Sequence, residues 1–165
     1  MKKIFYLLLL LASFSSCEKD DICDAATATT PRIIIEFYST DATPVLKKVT
    51  NLKVTGDGMT DYFLFNDVSK IELPLKTTSD VTKFSLIMNS TDTATKNEDF
   101  IEFNYTRNDV FVSRACGFKT LFYLDATTPY SLTDSGLNDG IWIQNSTVVT
   151  SNIETENETH IKIYY

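Results

Sequence analysis

Residues 99–124, DFIEFNYTRNDVFVSRACGFKTLFYL, decide the fold class of this chain. Apolar and polar residues alternate over residues 101–105, which is the period of a β-strand with one buried face. Asn108-Asp109 then offers turn residues, so residues 99–115 are predicted to form a hairpin. The segment FKTLFYL that follows is apolar on both faces at most positions, as expected of a central strand.

The chain on either side shows the same strand period, broken by turn residues. Further strands are predicted at Arg32–Tyr38, Val45–Thr55, Tyr62–Phe65, Ile71–Leu75, Phe84–Met88, Ile141–Ile143, Val148–Val149 and Ile161–Tyr165. Pro74 cannot donate a hydrogen bond to a neighbouring strand, so its strand is predicted at a sheet edge. No segment after residue 16 has a sustained helical period with caps. We therefore predict an all-β fold, an antiparallel β-sandwich with about nine or ten short strands, Ig-like or transthyretin-like in layout. It would form a single domain over residues 31–165.

Residues 1–16 have the pattern of a bacterial lipoprotein signal peptide. Lys2-Lys3 is a short positive region, residues 4–12 (IFYLLLLLA) are apolar, and small or polar residues lead up to Cys17. A helix of the apolar segment would span about 14 Å, half of a hydrocarbon core, so it is a targeting segment rather than a membrane anchor. Cleavage before Cys17 would leave this cysteine free for lipidation, with residues 17–30 as a lipidated tether.

The residues around Cys17 also indicate a location in the cell. Phe14 departs from the commonest lipoprotein motif and resembles the looser form used by Bacteroidota. Lys19, Asp20 and Asp21 resemble the signal that exports Bacteroidota lipoproteins to the outer leaflet of the outer membrane. The resemblance implies a lipid-anchored protein on the cell surface. The alternatives are a solvated spacer and a place on the periplasmic leaflet.

The cysteine count predicts a disulfide. If Cys17 carries lipid, Cys23 and Cys116 remain as a pair in an oxidising compartment, where disulfides persist. A cysteine-based metal site is the alternative, but His160 is the single histidine and there is no CxxC motif. We predict no metal and no other cofactor.

Charge excludes one class of partner. Fifteen Lys and Arg residues stand against 22 Asp and Glu, a formal net charge of −7. Loss of residues 1–16 removes two lysines and brings it to −9. An acidic protein of this kind is repelled by nucleic acid, so no nucleic-acid partner is predicted.

Few residues suggest catalysis. His160 is predicted on the polar face of the last strand, exposed to solvent. A carboxylate pair about 5–10 Å apart could hydrolyse a glycoside. The acids that could supply it are predicted to form a solvated rim, and they are Asp92, Glu98, Asp99 and Glu102. The loop Asp134–Gly140 carries oxygen ligands for calcium, but it lacks the spacing of a known calcium loop and is interpreted as a polar turn.

Exposed aromatic residues could bind sugars by stacking. Trp142 and Tyr164 are the principal candidates for a glycan contact, with Tyr38, Tyr130 and Tyr165 beside them. Most other aromatics have the inward phase of strands, where core packing explains them. Asp92-Thr93-Ala94 resembles the O-glycosylation site of exported Bacteroidota proteins, which makes Thr93 a possible modified residue.

Several segments together resemble the small, uncharacterised lipoproteins of Bacteroidota that are classed as a domain of unknown function. They are Cys17–Asp21 with Cys23, TPRIIIEFY at residues 30–38, and VSRACGF at residues 112–118. The resemblance implies a fold and an address but no reaction. We expect a non-enzymatic, lipid-anchored envelope protein that binds or scaffolds another envelope component. A surface glycan-binding module is the alternative, and a carboxylate-based hydrolase is a third possibility.

Overall fold

The computed structural model describes residues 22–136 and 139–165, which contain eleven strands and no helix. The strands are β1 Ile33–Tyr38, β2 Leu52–Gly56, β3 Tyr62–Phe65, β4 Lys70–Leu73, β5 Val81–Met88, β6 Asn97–Ser113, β7 Gly117–Leu124, β8 Tyr130–Asp134, β9 Asn145–Val148, β10 Asn152–Ile153 and β11 Ile161–Tyr164. The predicted signal peptide, the lipidation site Cys17 and the export signal Lys19, Asp20 and Asp21 lie outside the described residues.

The strands form two sheets of unequal size. The four-stranded sheet has the order β4-β1-β11-β9, and the seven-stranded sheet has the order β10-β7-β6-β5-β2-β3 with β8 also paired to β6. β1 and β11 pair in parallel, and the other strand pairs whose register is resolved are antiparallel. The prediction of an all-β sandwich is confirmed.

The described residues cluster into two compact units. The smaller contains residues 22–29 and 109–119, and the larger contains residues 30–108 and 120–165 where they are described. The strands β6 and β7 each contribute residues to both. The prediction of a single domain over residues 31–165 stays a prediction.

The smaller unit is cross-linked. Cys23 and Cys116 form a disulfide with their Cα atoms 4.9 Å apart, as predicted from the cysteine count. The turn that carries Cys116 joins β6 to β7. It depends on Gly117 at φ +70°, a conformation that suits glycine, and on a hydrogen bond of 3.0 Å from the Cys116 N–H to Ser113 Oγ.

The hairpin predicted to turn at Asn108-Asp109 is wrong. β6 runs without a break from Asn97 to Ser113, and the chain reverses at residues 114–116 instead. Turn-type residues permit a turn but do not enforce one, because an exposed strand also accepts Asn and Asp. The left-handed Gly117 and the disulfide at Cys116 mark the actual reversal.

The core of the larger unit lies between the two sheets. Its fully buried side chains include Ile33, Ile35, Phe37, Leu52, Val54, Ile71, Leu73, Leu86, Ile101, Phe103, Phe122, Ile161 and Ile163. They recur at every second position of their strands, which is the pattern of a sheet with one face buried. As predicted, the strand before Pro74 lies at an edge, because β4 ends the four-stranded sheet.

His160 does not lie in solvent as predicted but is completely buried. The Ile34 N–H donates to His160 Nδ1 at 2.9 Å, and the His160 N–H donates to the Ile34 carbonyl at 3.0 Å. The imidazole therefore accepts a hydrogen bond from the backbone of β1. This contact comes just before the parallel pairing of β1 with β11 begins at Ile35. Burial lowers the pKa of His160, because the charged ring would lose its hydration.

We expect His160→Leu to lower the free energy of unfolding by about 1–3 kcal/mol, since it leaves the buried Ile34 N–H without an acceptor. His160→Asn offers an amide oxygen in place of Nδ1 and does not titrate. As pH falls from 7 to 5, wild type should lose stability relative to His160→Asn. The reason is that the imidazole has a lower pKa in the folded protein than in the unfolded chain, so the unfolded chain binds the proton first. Urea denaturation at pH 5, 6 and 7 measures both effects. Parallel pH curves for wild type and His160→Asn would contradict this role.

Candidate binding site

The seven-stranded sheet ends at an exposed apolar strand. β3 has the sequence YFLF and is the last strand in the sheet order. Tyr62, Phe63 and Leu64 are 56%, 45% and 57% exposed. A strand with no outer neighbour presents unpaired backbone N–H and C=O groups, so β3 offers hydrogen-bonding and apolar surface together.

The register of β3 shows why Phe63 faces the core but remains exposed. Phe63 is opposite Val54 of β2, and Phe65 is opposite Leu52. Val54 and Leu52 are fully buried, so both phenylalanines lie on the inner face of the sheet. Their rings stack with centroids 6.1 Å apart. The facing sheet leaves Phe63 partly uncovered at this edge.

The outer face of β3 is also apolar. Tyr62 and Leu64 are opposite Thr55 and Lys53 of β2. Lys53 Nζ lies 4.4 Å from the centroid of the Tyr62 ring, within the range of a cation–π contact. Aromatic or aliphatic surface is therefore present on both faces of this edge strand.

A cavity of about 270 Å³ opens beside β3. Its walls are mainly apolar, with charged groups only from Asp61 and Lys76. The other lining residues are Gly56, Met59, Tyr62, Phe63, Pro74, Leu75, Thr82 and Phe84. An apolar cavity with a few polar groups suits an apolar side chain or a small apolar molecule.

A second cavity of about 230 Å³ also has Phe63 in its wall. It reaches from Phe63 and Phe65 across to Lys70, Ile71 and Glu72, with Arg32 at its wall. Arg32 and Lys70 are both paired with Glu72, at 2.6 and 3.0 Å. Phe63 thus lines both an apolar cavity and a charged one.

The other terminal strands of the two sheets are protected in ways that β3 is not. β4 carries Lys70 and is followed by Pro74, and both features discourage a further strand. β9 has the polar sequence NSTV, and β10 is two residues long. β8, which is paired to β6, has Ser131 and Thr133 as its exposed residues, and both are polar. Among the terminal strands of the described sheets, β3 is therefore the one suited to accept a partner.

The predicted glycan residues do not form a platform. Trp142 is buried, and its indole N–H donates to the Leu86 carbonyl at 3.2 Å. Its ring packs against Tyr165 and Phe37, with centroids 5.4 and 6.3 Å away. Trp142 is therefore not exposed as the prediction of a sugar contact requires, since 6% of its surface is accessible.

Tyr164 is half-buried. It lies on the face of β11 opposite Ile161 and Ile163. The centroid of its ring is 5.8 Å from the centroid of the Tyr38 ring. It is therefore not brought together with Trp142. The exposed aromatics of the larger unit are on β3, which the sequence presents as one more apolar strand.

Two of the acids considered for hydrolysis, Asp92 and Glu98, accept hydrogen bonds from neighbouring groups. Asp92 closes a turn by accepting hydrogen bonds from the Ala94 N–H at 2.9 Å and the Thr95 hydroxyl at 2.8 Å, which lower the pKa of its carboxyl. Thr93 lies exposed in this turn, and its glycosylation stays a prediction. Glu98 accepts a hydrogen bond from the Ser85 hydroxyl.

Asp99 is not on a solvated rim as predicted but is completely buried. Its Oδ2 accepts a hydrogen bond from the Ile143 N–H at 2.8 Å, and the Trp142 N–H also bonds to the carboxyl. It thus holds the backbone before β9 against β6. The strand period contained this signal, because Asp99 has the same phase as Ile101 and Phe103.

A second acid faces Asp99. Asp134 of β8 is its direct cross-strand partner, and the Oδ1 atoms of both are buried without hydrogen-bond partners. Asp139, which accepts from the Glu98 N–H at 3.3 Å, adds a third negative charge. Burial first, and then the charges of Asp134 and Asp139, raise the pKa of Asp99 to about 6. No group of three or more His, Cys, Asp or Glu side chains in residues 22–136 and 139–165 is placed to hold a metal ion.

Comparison with known proteins adds a family match. A model described as a family of unknown function, DUF6452, matches residues 51–165, which is more than half of the chain and includes β2 to β11. No curated protein and no solved structure matches the chain significantly. Apart from Arg32, the residues that line the two cavities beside β3 lie inside the matched range.

We expect Asp99→Asn to change how stability depends on pH. Folded wild type keeps the Asp99 proton up to about pH 6, whereas the unfolded chain loses it near pH 4, so wild-type stability falls as pH rises between these values. Asp99→Asn lacks this loss and should be more stable at pH 7, by up to about 3 kcal/mol at about 1.4 kcal/mol per pKa unit.

The measurement is chemical denaturation at pH 4, 5, 6 and 7. Glu102→Gln is the matched control, because it makes the same charge change on the same strand but on the opposite face. A difference between wild type and Asp99→Asn that stays constant from pH 4 to 7 would contradict the assignment.

Proposed function

This chain belongs to the family of unknown function DUF6452, and we propose that it is a non-enzymatic, lipid-anchored protein of the cell envelope that binds another envelope component at β3. The observation that carries the proposal is the edge strand Tyr62–Phe65, which exposes apolar side chains on both faces and borders an apolar cavity. Exposed apolar patches at an open sheet edge are typical of interaction sites and are otherwise an aggregation hazard.

The site suits a protein partner that adds an extended segment to the sheet. Backbone groups of β3 would hydrogen-bond to the added strand, and alternate side chains of that strand would enter the cavity beside Phe63. Asp61 precedes β3 and Asp67 follows it shortly after, whereas Lys53 and Lys76 lie beside it, so the segment that fits is defined by its apolar alternate residues. The acidic charge of the whole chain, −7, favours a partner whose overall charge is positive.

The lipid anchor rests on the sequence. Lys2-Lys3, the apolar residues 4–12 and Cys17 make the pattern of a lipoprotein signal, and Lys19, Asp20 and Asp21 resemble an outer-membrane export signal. The disulfide between Cys23 and Cys116 supports an oxidising compartment. We propose the outer membrane as the address, with the cell-surface leaflet preferred to the periplasmic one.

A sugar ligand is less well supported. Protein sites for sugars combine an exposed aromatic face with several hydrogen-bonding side chains, whereas the cavity at β3 is almost wholly apolar and Trp142 is buried. Glycan binding that is lost on Tyr164→Ala would restore this alternative.

Cys17→Ala should abolish incorporation of a palmitate analogue into the protein, because the cysteine thiol is the acceptor of the first lipid. Metabolic labelling of cells that express the full chain measures it. Cys23→Ala is the matched control, since it removes another cysteine of the same leader and should leave the label in place. Undiminished label on Cys17→Ala would refute lipidation at this residue.

Binding at β3 is tested by replacing Leu64 with a photoreactive benzoylphenylalanine in the full chain. Illumination of intact cells should give a protein adduct whose cross-linked site maps to an extended segment of the partner. The same replacement of the exposed Phe118 in the smaller unit is the control and should give no protein adduct. Equal adducts from both positions, or none from position 64, would contradict the proposal.

A further inference from the structure

The smaller unit exposes two aromatic rings next to its disulfide. Phe111 on β6 and Phe118 on β7 are 56% and 68% exposed, and their rings meet edge to face with centroids 5.4 Å apart. They lie on either side of the turn that carries Cys116, with the exposed Arg114 in the turn and Lys119 after Phe118. Nothing assigned to β3 uses this surface.

Covalent connection brings this surface close to the predicted lipid. Cys23 is six positions after Cys17, and a fully extended chain covers at most about 3.6 Å per position, or about 22 Å in all. Cys23 is bonded to Cys116, with 4.9 Å between the Cα atoms. Because the disulfide lies in the same compact unit as the two rings, the tether limits how far they can be from the bilayer surface.

The chemistry of the unit fits a bilayer interface. Ile22, next to Cys23, is 83% exposed, so the chain enters the unit with a further apolar side chain. Arg114 and Lys119 stand against Asp109 within residues 109–119, and with Asp24 the described residues of the unit carry no net charge, whereas the whole chain carries −7. Apolar rings with neighbouring basic side chains that extend toward headgroups are typical of surfaces that rest in the interface.

We propose that the hairpin tip formed by Phe111 and Phe118 contacts the lipid bilayer and acts as a second membrane contact beside the lipid on Cys17. This inference rests on the proposed lipid anchor. A weak apolar contact held within a short tether gains from a high effective concentration, so two rings suffice where they would not bind a bilayer alone. The tip thereby adds to retention at the membrane.

The test uses the full lipidated protein reconstituted in vesicles of phosphatidylethanolamine and phosphatidylglycerol that contain brominated lipid, which quenches nearby tryptophan. Phe118→Trp introduces a reporter at the tip, and the natural Trp142 is buried and supplies the background. We expect Phe118→Trp to be quenched and blue-shifted in vesicles. Tyr62→Trp is the matched control on β3 with similar exposure and should be quenched no more than wild type.

The outcomes separate the two proposals. Protein that floats with the vesicles while Phe118→Trp and Tyr62→Trp are quenched equally, or not at all, would overturn the membrane contact and leave the anchor intact. Protein that does not float would overturn both. A second measurement needs no variant: trypsin should cut wild type after Arg114 more slowly in vesicles than in detergent, with the exposed Lys48 site unchanged. Equal cutting after Arg114 in the two conditions would also overturn the contact.

Discussion

Burial of the inner face of the seven-stranded sheet by the four-stranded sheet is the interaction on which this structure depends. Ile35, Phe37 and Ile163 on one side meet Leu52, Val54 and Phe103 on the other, and all are removed from solvent. Apolar burial is the main source of folding free energy, so the stabilisation of each strand grows with the apolar area that the opposite sheet covers. The four-stranded sheet is narrower than the seven-stranded sheet. At the edge that it does not cover, the inner face of the larger sheet is exposed at Phe63.

Polar side chains in this core are kept because they satisfy backbone groups. His160 accepts the Ile34 N–H, Asp99 accepts the Ile143 N–H, and Trp142 donates to the Leu86 carbonyl. An unpaired buried N–H costs free energy comparable to a lost hydrogen bond, which gives each of these residues a structural reason to be buried. Two of these side chains are only partly satisfied, because Asp99 Oδ1 and His160 Nε2 are buried without hydrogen-bond partners.

The two proposed surfaces belong to different units and have different chemistry. In the larger unit, β3 combines a free backbone edge with a cavity, which suits an extended peptide. In the smaller unit, the Phe111–Phe118 pair has no cavity and adjoins basic residues, which suits the disordered surface of a bilayer. The disulfide keeps the second surface near the predicted lipid whatever the partner of the first.

The sequence by itself determined the all-β class, the edge position of the strand before Pro74 and the pairing of Cys23 with Cys116. Strand period, a missing N–H and a cysteine count are local or arithmetic properties, and they hold in any arrangement of the strands. The sequence also shows that Asp99 lies on the same face of its strand as Ile101, because the two are two positions apart. Only the tertiary structure decided that YFLF is exposed, that Trp142 and His160 are buried, and that β6 continues through Asn108-Asp109. Period tells which residues share a face of a strand, but exposure depends on which distant strands lie over that face.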